Sequence, residues 1–146
     1  MAKLTLAAAS TIVDTALGEG RARGFAPLTV AVLDAGGHLV ALKREDNSSL
    51  LRPEIATGKA WGALGMGFGG RELARRAQAA PGFFAALSGL AEGRMVPVPG
   101  GVLIRDAGGE IVGAVGISGD TSANDEICAV AGIKAAGLHP DTGDPA

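Results

Sequence analysis

The chain is poor in the residues that usually announce a chemistry. It has no tyrosine, one tryptophan, four phenylalanines, one cysteine and two histidines in 146 residues. The lone Cys128 cannot close an internal disulfide, which excludes a secreted disulfide scaffold and a zinc site built from four cysteines. Set in "EICAVAG", it reads as a small packed hydrophobe, and a reducing compartment suits it. Two histidines leave no room for a three-histidine metal centre. Formal charge is −2, and Lys and Arg occur singly or in short groups such as Arg75-Arg76. No basic stripe can neutralise a row of phosphates, so nucleic acid is not expected as a partner. No apolar run approaches the ~20 residues that span a bilayer, so no membrane is expected either. The opening "MAKLTLAAASTIVDTAL" begins like a signal peptide, but Asp14 and its helical spacing make it structure. A soluble, cytoplasmic protein is expected.

What is present is small and aliphatic. Hydrophobic residues make up 47% of the chain, so with few aromatics the core must be built from Ala, Val, Leu and Ile. The 24 glycines are about twice the usual share of ~7% and sit inside patterned segments, where they serve backbone geometry and close approach. The length suits one domain, over residues 1–138, with an irregular tail over 139–146.

Two stretches repeat: "VLDAGGHLVA" from Val32 and "IRDAGGEIVG" from Ile104. Each runs from β-forming residues through Asp-Ala-Gly-Gly into β-forming residues, the chemistry of a tight hairpin turn. A phosphate-binding glycine loop leads into a helix, which neither copy does. The repeat is therefore scaffolding, and Gly36 and Gly108 should hold equivalent turns with a positive φ in each glycine pair. Leu6, Ala9, Val13, Ala16, Leu17 and Gly20 recur at helical spacing between a Thr5 cap and a Gly24 terminator. "RPEIATGKAWGALGMG", "RELARRAQ", "GFFAALSGLAEG" and "ANDEICAVAGIKAAG" read as further helices, the last capped by Ser122 and ended by Gly137. The order predicts an α+β domain with an antiparallel sheet flanked by helices.

Several groups can carry chemistry, each with a plain structural alternative. Arg44, Arg52 and Lys59 can present cations to a carboxylate or propionate, with Glu54 orienting one of them, or can form a solvated hairpin exit and helix cap. Gly58, Gly62 and Gly65 share one helix face at a cost of ~1 kcal/mol each against alanine, so another helix or a flat ligand must approach closely. Trp61 lies beside that face and either lines a pocket or fills core. "MVPVPGGVLI" predicts an edge segment bending at Gly100 and Gly101, where bare backbone can pair a neighbouring subunit or offer amides to a small acid. Asp120, Asp125 and Glu126 sit at the start of the last helix, as caps or as acid–base groups. The pocket is expected between the Glu54–Gly65 helix, the Gly100-Gly101 bend and Asp120. His38 follows the first turn and is a weak candidate for a haem axial ligand, with an exposed surface position as its alternative.

Five blocks in order carry a resemblance over nearly the whole chain: "LTLAAA" from Leu4, "VAVLDAGGHLVALKRED" from Val30, "EIATGKAWGALGMG" from Glu54, "GRMVPVPGGVLIRD" from Gly93 and "GAVGISGDTSANDEICAVAG" from Gly113. The chain resembles the GlcG/HbpS family, which is similar to the C-terminal domain of PduO-type corrinoid adenosyltransferases. The resemblance implies a profilin-like α+β domain, homo-oligomers of tetramer or octamer type, haem or a related tetrapyrrole as ligand, and genetic company with catabolic enzymes. It implies no adenosyltransferase activity, which belongs to a separate domain of the PduO type. Two functions remain open at this point. One is a haem-binding module using Arg44, Arg52, Lys59, Trp61, Gly62, Gly100 and Gly101. The other is a small catabolic enzyme acting on an organic acid without a redox cofactor, with Glu54, Asp120 or Glu126 as acid or base.

Overall fold

The computed structural model describes residues 3–144. Its elements run α1 (Leu6–Arg23), β1 (Thr29–Asp34), β2 (Leu39–Arg44), α2 (Arg52–Met66), α3 (Gly70–Ala79), α4 (Pro81–Leu90), β3 (Gly101–Arg105), β4 (Ile111–Ser118), α5 (Ser122–Ala135) and β5 (His139–Asp141). The strands form one antiparallel sheet in the order β2-β1-β4-β3-β5. This is the single α+β domain that the element order predicts, and its profilin-like character is consistent with the similar structures described below.

Helices cover both faces of the sheet, which is why β1, β3 and β4 are buried nearly end to end while the edge strand β2 is not. On one face Ile12, Val13 and Ala16 of α1 and Cys128, Ala129 and Ile133 of α5 pack on Val30, Val32, Val102, Ile104, Val115 and Ile117. On the other, Ala60 and Ala63 of α2 pack on Leu33, Leu103 and Ala114. A satellite core of Leu73, Phe84, Ala91 and Met95 holds α3 and α4 beside α2. Small residues let these layers close. A Cβ at Gly132 of α5 would stand 2.5 Å from the Ile12 carbonyl oxygen of α1, and one at Gly116 of β4 would overlap the Ala56 carbonyl of α2.

Local signals behave as read. Thr5 Oγ1 accepts from Ala8 N at 3.0 Å, and Gly24 ends α1 at φ 71°. In the two turns, Asp34 Oδ1 accepts from Gly36 N and His38 N at 2.9 and 3.0 Å, and Asp106 Oδ1 accepts from Gly108 N and Glu110 N at the same distances. Gly37 and Gly109 take φ 83° and 85°, so the repeated decapeptide is one hairpin turn used twice.

Three expectations are corrected. The cap of α5 is Thr121 and not Ser122, because Thr121 is the extended residue whose Oγ1 reaches Asn124 N at 3.2 Å. The tail is not irregular from 139: His139–Asp141 pairs with β3, Pro140 is tolerated because β5 is an edge, and Arg105 Nε holds Asp141 at 3.0 Å. Residues 145 and 146 of that tail lie outside the described residues. Finally, Val96 to Pro99 is not an open sheet edge. It lies across α2, with Val96 N donating to Gly58 O at 3.2 Å, and Gly100 and Gly101 are buried.

Candidate functional site

The face of α2 that carries Gly58 and Gly62 is covered by an extended segment of the same chain, neither a second helix nor a ligand. A Cβ at Gly58 would stand 2.7 Å from Val96 Cγ2 and 2.9 Å from the Arg94 carbonyl, and one at Gly62 would stand 2.5 Å from Met95 Cγ. The helix pays its glycine penalty so that residues 94–96 can lie flat on it. Gly65, one turn on, has nothing within 4 Å. Where this covering segment turns away from α2, a groove of about 550 Å³ opens, floored by Pro53, Thr57, Gly58 and Trp61 and walled by Gly37 of the first hairpin turn and by Glu92, Gly93 and Arg94, with Glu54 at its side. Its volume lies within the range of small-molecule sites. Trp61 also borders an apolar hollow of about 190 Å³ with Leu87, Leu90 and Met95. The Arg94 guanidinium carbon lies 4.5 Å from the Trp61 ring centroid, and its Nε donates to Ala91 O at 3.0 Å.

The expected convergence of α2, the Gly100-Gly101 bend and the start of α5 also exists, but side chains fill it. Lys59 Nζ donates to Ile117 O at 2.8 Å and to Asp125 Oδ2 at 3.2 Å, with 3% of Lys59 and 1% of Asp125 exposed. A Cβ at Gly100 would stand 2.9 Å from that ammonium, and Gly101 sits on the Lys59 backbone. Gly100 O accepts from Ile117 N at 3.0 Å. Burial pushes the Lys59 ammonium down and the Asp125 carboxyl up, each against the attraction of the other. Arg52 stands at the rim, donating to Ser118 Oγ at 3.0 Å and Ser49 Oγ at 3.1 Å. Lys59, Gly62, Gly100 and Gly101 thus hold α2 to its neighbours and do not line the groove.

The remaining candidates are dispersed. Arg44 donates to Ser48 O at 2.8 Å and lines a separate polar cleft with Arg21 and Glu45. Asp120 accepts from Ala26 N, Thr121 N and Asn124 Nδ2, and these bonds, the Ala26 amide first, hold its carboxyl below the ordinary range. Glu126 accepts from Arg71 Nε through both oxygens at 2.9 Å. His38 is 81% exposed at the side chain, and its Nδ1 lies 3.2 Å from Asp34 Oδ1. Burial lifts the Cys128 thiol to about 11, which removes its nucleophilic form at neutral pH. Among the described residues no group of three or more His, Cys, Asp or Glu is placed to hold a metal ion, and no helix is long and apolar enough to cross a membrane.

Of the residues singled out in the sequence, Glu54, Gly58 and Trp61 border the groove. Arg94, Thr57, Glu92 and Gly37 were missed. Asp125, read as one of several first-turn carboxylates, is the buried partner of Lys59. The signal for Arg94 is its place directly before "MVPVPGG": a chain that must lie on helix glycines delivers its preceding side chain to the helix edge.

Comparison with known proteins agrees with this architecture. A family model described as haem degrading protein, HbpS-like, matches residues 4–134. An uncharacterised 15.0 kDa protein of the dhaT-dhaS intergenic region of Citrobacter freundii is 31% identical over 132 residues, covering 88% of this chain and 89% of that protein. The crystal structure of a PduOC:haem complex superposes with a TM-score of 0.84 at 26% identity, covering 98% of this chain and 100% of the other. HbpS gives 0.79 at 28% identity, covering 92% and 90%. Klebsiella pneumoniae ORFY gives 0.82 at 25% identity, covering 94% and 93%.

Proposed function

The chain belongs to the HbpS-like family, and from that membership we propose that it binds haem or a related tetrapyrrole in the groove over Trp61. The observation that carries the reading is the groove itself, in which an apolar floor of Pro53, Gly58 and Trp61 can receive a flat ring system. The residues present fit such a group. A Cβ at Gly37 of the first hairpin turn would stand 3.6 Å from the Trp61 ring, so the turn lies over the indole edge, and His38 follows it in the chain. Asp34 Oδ1 lies 3.2 Å from His38 Nδ1, which leaves Nε2 as the ring nitrogen without a partner among the described residues, the arrangement that metal-ligating histidines use. Bound haem would supply a redox-active iron, while this chain's residues bind and orient the macrocycle.

Titration with haem should give a Soret band that saturates near one haem per chain, with parallel quenching of Trp61, the sole tryptophan. His38→Ala should alter the iron spectrum, and Trp61→Ala should weaken binding about tenfold, the scale of one lost aromatic contact. Absence of a saturable Soret shift would refute the reading. A homo-oligomer of tetramer or octamer type belongs to the same proposal.

A second reading, an enzyme acting on an organic acid without a redox cofactor, is favoured by Glu54 standing in the same groove as Arg94. Of the three acid–base candidates it is the one that borders the groove, since Asp120 and Glu126 are engaged elsewhere.

A further inference from the structure

We infer that Arg94 is a carboxylate receptor that sets the ligand class of the Trp61 groove: a flat or apolar body bearing at least one carboxylate. The inference rests on the groove being the ligand site. Arg94 is held in two ways before any ligand arrives. Its Nε donates to Ala91 O at 3.0 Å, and its guanidinium face lies on the Trp61 ring at 4.5 Å. Those contacts fix the plane and leave the edge formed by the two terminal amino groups with no partner among the described residues. That edge matches a carboxylate in bidentate geometry, and a guanidinium already stacked loses little freedom on pairing.

The rest of the groove gives the charge an address. Arg94 is the one cation among the residues that line it, while Glu54 and Glu92 line it too. An anionic group is repelled along those walls and attracted at Arg94, so the acid end must lie there and the neutral body over Trp61 and Pro53. The carboxylate can come from a haem propionate or from a free organic acid, and the two sources are separable.

Wild type, R94Q and R94K are titrated with haem and with haem dimethyl ester, read at the Soret band, and with benzoate and benzamide, read by Trp61 fluorescence. Wild type should bind haem about tenfold or more tightly than the diester, as expected for one charge-assisted pair. R94Q should reduce that preference to within about twofold, and R94K should fall between. Benzoate, and not benzamide, should change wild-type fluorescence saturably and leave R94Q unchanged. If wild type binds haem and R94Q keeps the preference for the free acid, the role of Arg94 is overturned while haem binding stands. If wild type binds no haem, the tetrapyrrole reading falls. Arg94 is then upheld by a benzoate response lost in R94Q, and overturned if that response is absent or unchanged in the variant.

Discussion

Lys59 is where burial and charge oppose each other most directly. Its ammonium is enclosed with the Asp125 carboxylate, Arg52 adds repulsion, and Ile117 O and the Asp120 amide complete the hydrogen bonds of the pair. Taking two charges out of water costs several kcal/mol per ion, and mutual attraction offsets that only where geometry is good and the remaining donors and acceptors are used. The pair therefore fixes how α2 sits against α5 more than it adds stability. Lys59→Met should destabilise by about 3–5 kcal/mol because it strands a buried carboxylate, and Asp125→Leu should cost a comparable amount by stranding the ammonium. The double variant should be more stable than either single one, since neither charge is left alone. Denaturant midpoints of the four proteins decide this, and additive losses would mean that the two side chains act independently.

At the scale of elements, two glycines of the α2 region should respond in opposite directions. Gly116 of β4 lies under the Ala56 carbonyl, so Gly116→Val must lift α2 off the sheet and should cost at least about 3 kcal/mol. Gly65 has open space around its Cβ position within α2, so Gly65→Ala should gain about 0.5–1 kcal/mol through helix propensity. Thermal unfolding of both variants measures this, and a tolerated Gly116→Val would remove the close approach from the account of the fold. The contrast also marks what was legible in the sequence. Thr5, Gly24 and the two Asp-Ala-Gly-Gly turns are local codes that act on backbone within four residues, so element order and hairpins could be read directly. What covers a glycine face is decided by chain far away: Gly58 meets Arg94 and Val96, and Gly101 meets Lys59. The same distance hid the site, because Arg94 and Trp61 are 33 residues apart and meet only once α4 has returned the chain to α2. Strand β5 was invisible for a related reason, since "HPD" has no strand pattern of its own and is extended because the β3 edge and Arg105 hold it.

Across the whole molecule the apolar surface is unevenly placed. Leu50 is 87% exposed and Leu51, Leu39, Phe83 and Leu90 are each more than half exposed, although the interior is closed by residues no larger than leucine over most of the sheet. In the homo-oligomer proposed above, these large aliphatics left in water beside well-packed alanines and glycines are the surface that another subunit would cover. Leu50 and Leu51 stand just before α2, and β2 is the longer of the two edge strands of the sheet, carrying Lys43 and Arg44 at its end. The edge segment first expected to meet a neighbour, Val96 to Gly101, is occupied within the chain, so the proposed assembly would use β2 and the Leu50-Leu51 corner. Light scattering coupled to size exclusion should show wild type as a tetramer or octamer at micromolar concentration. Leu50→Asp with Leu51→Asp should shift it to a smaller species without unfolding it, because both side chains are exposed in the single chain and a negative charge at 51 suits the N-terminal end of the α2 dipole. A monomeric wild type, or a double variant that keeps the full assembly, would place the interface elsewhere or remove it.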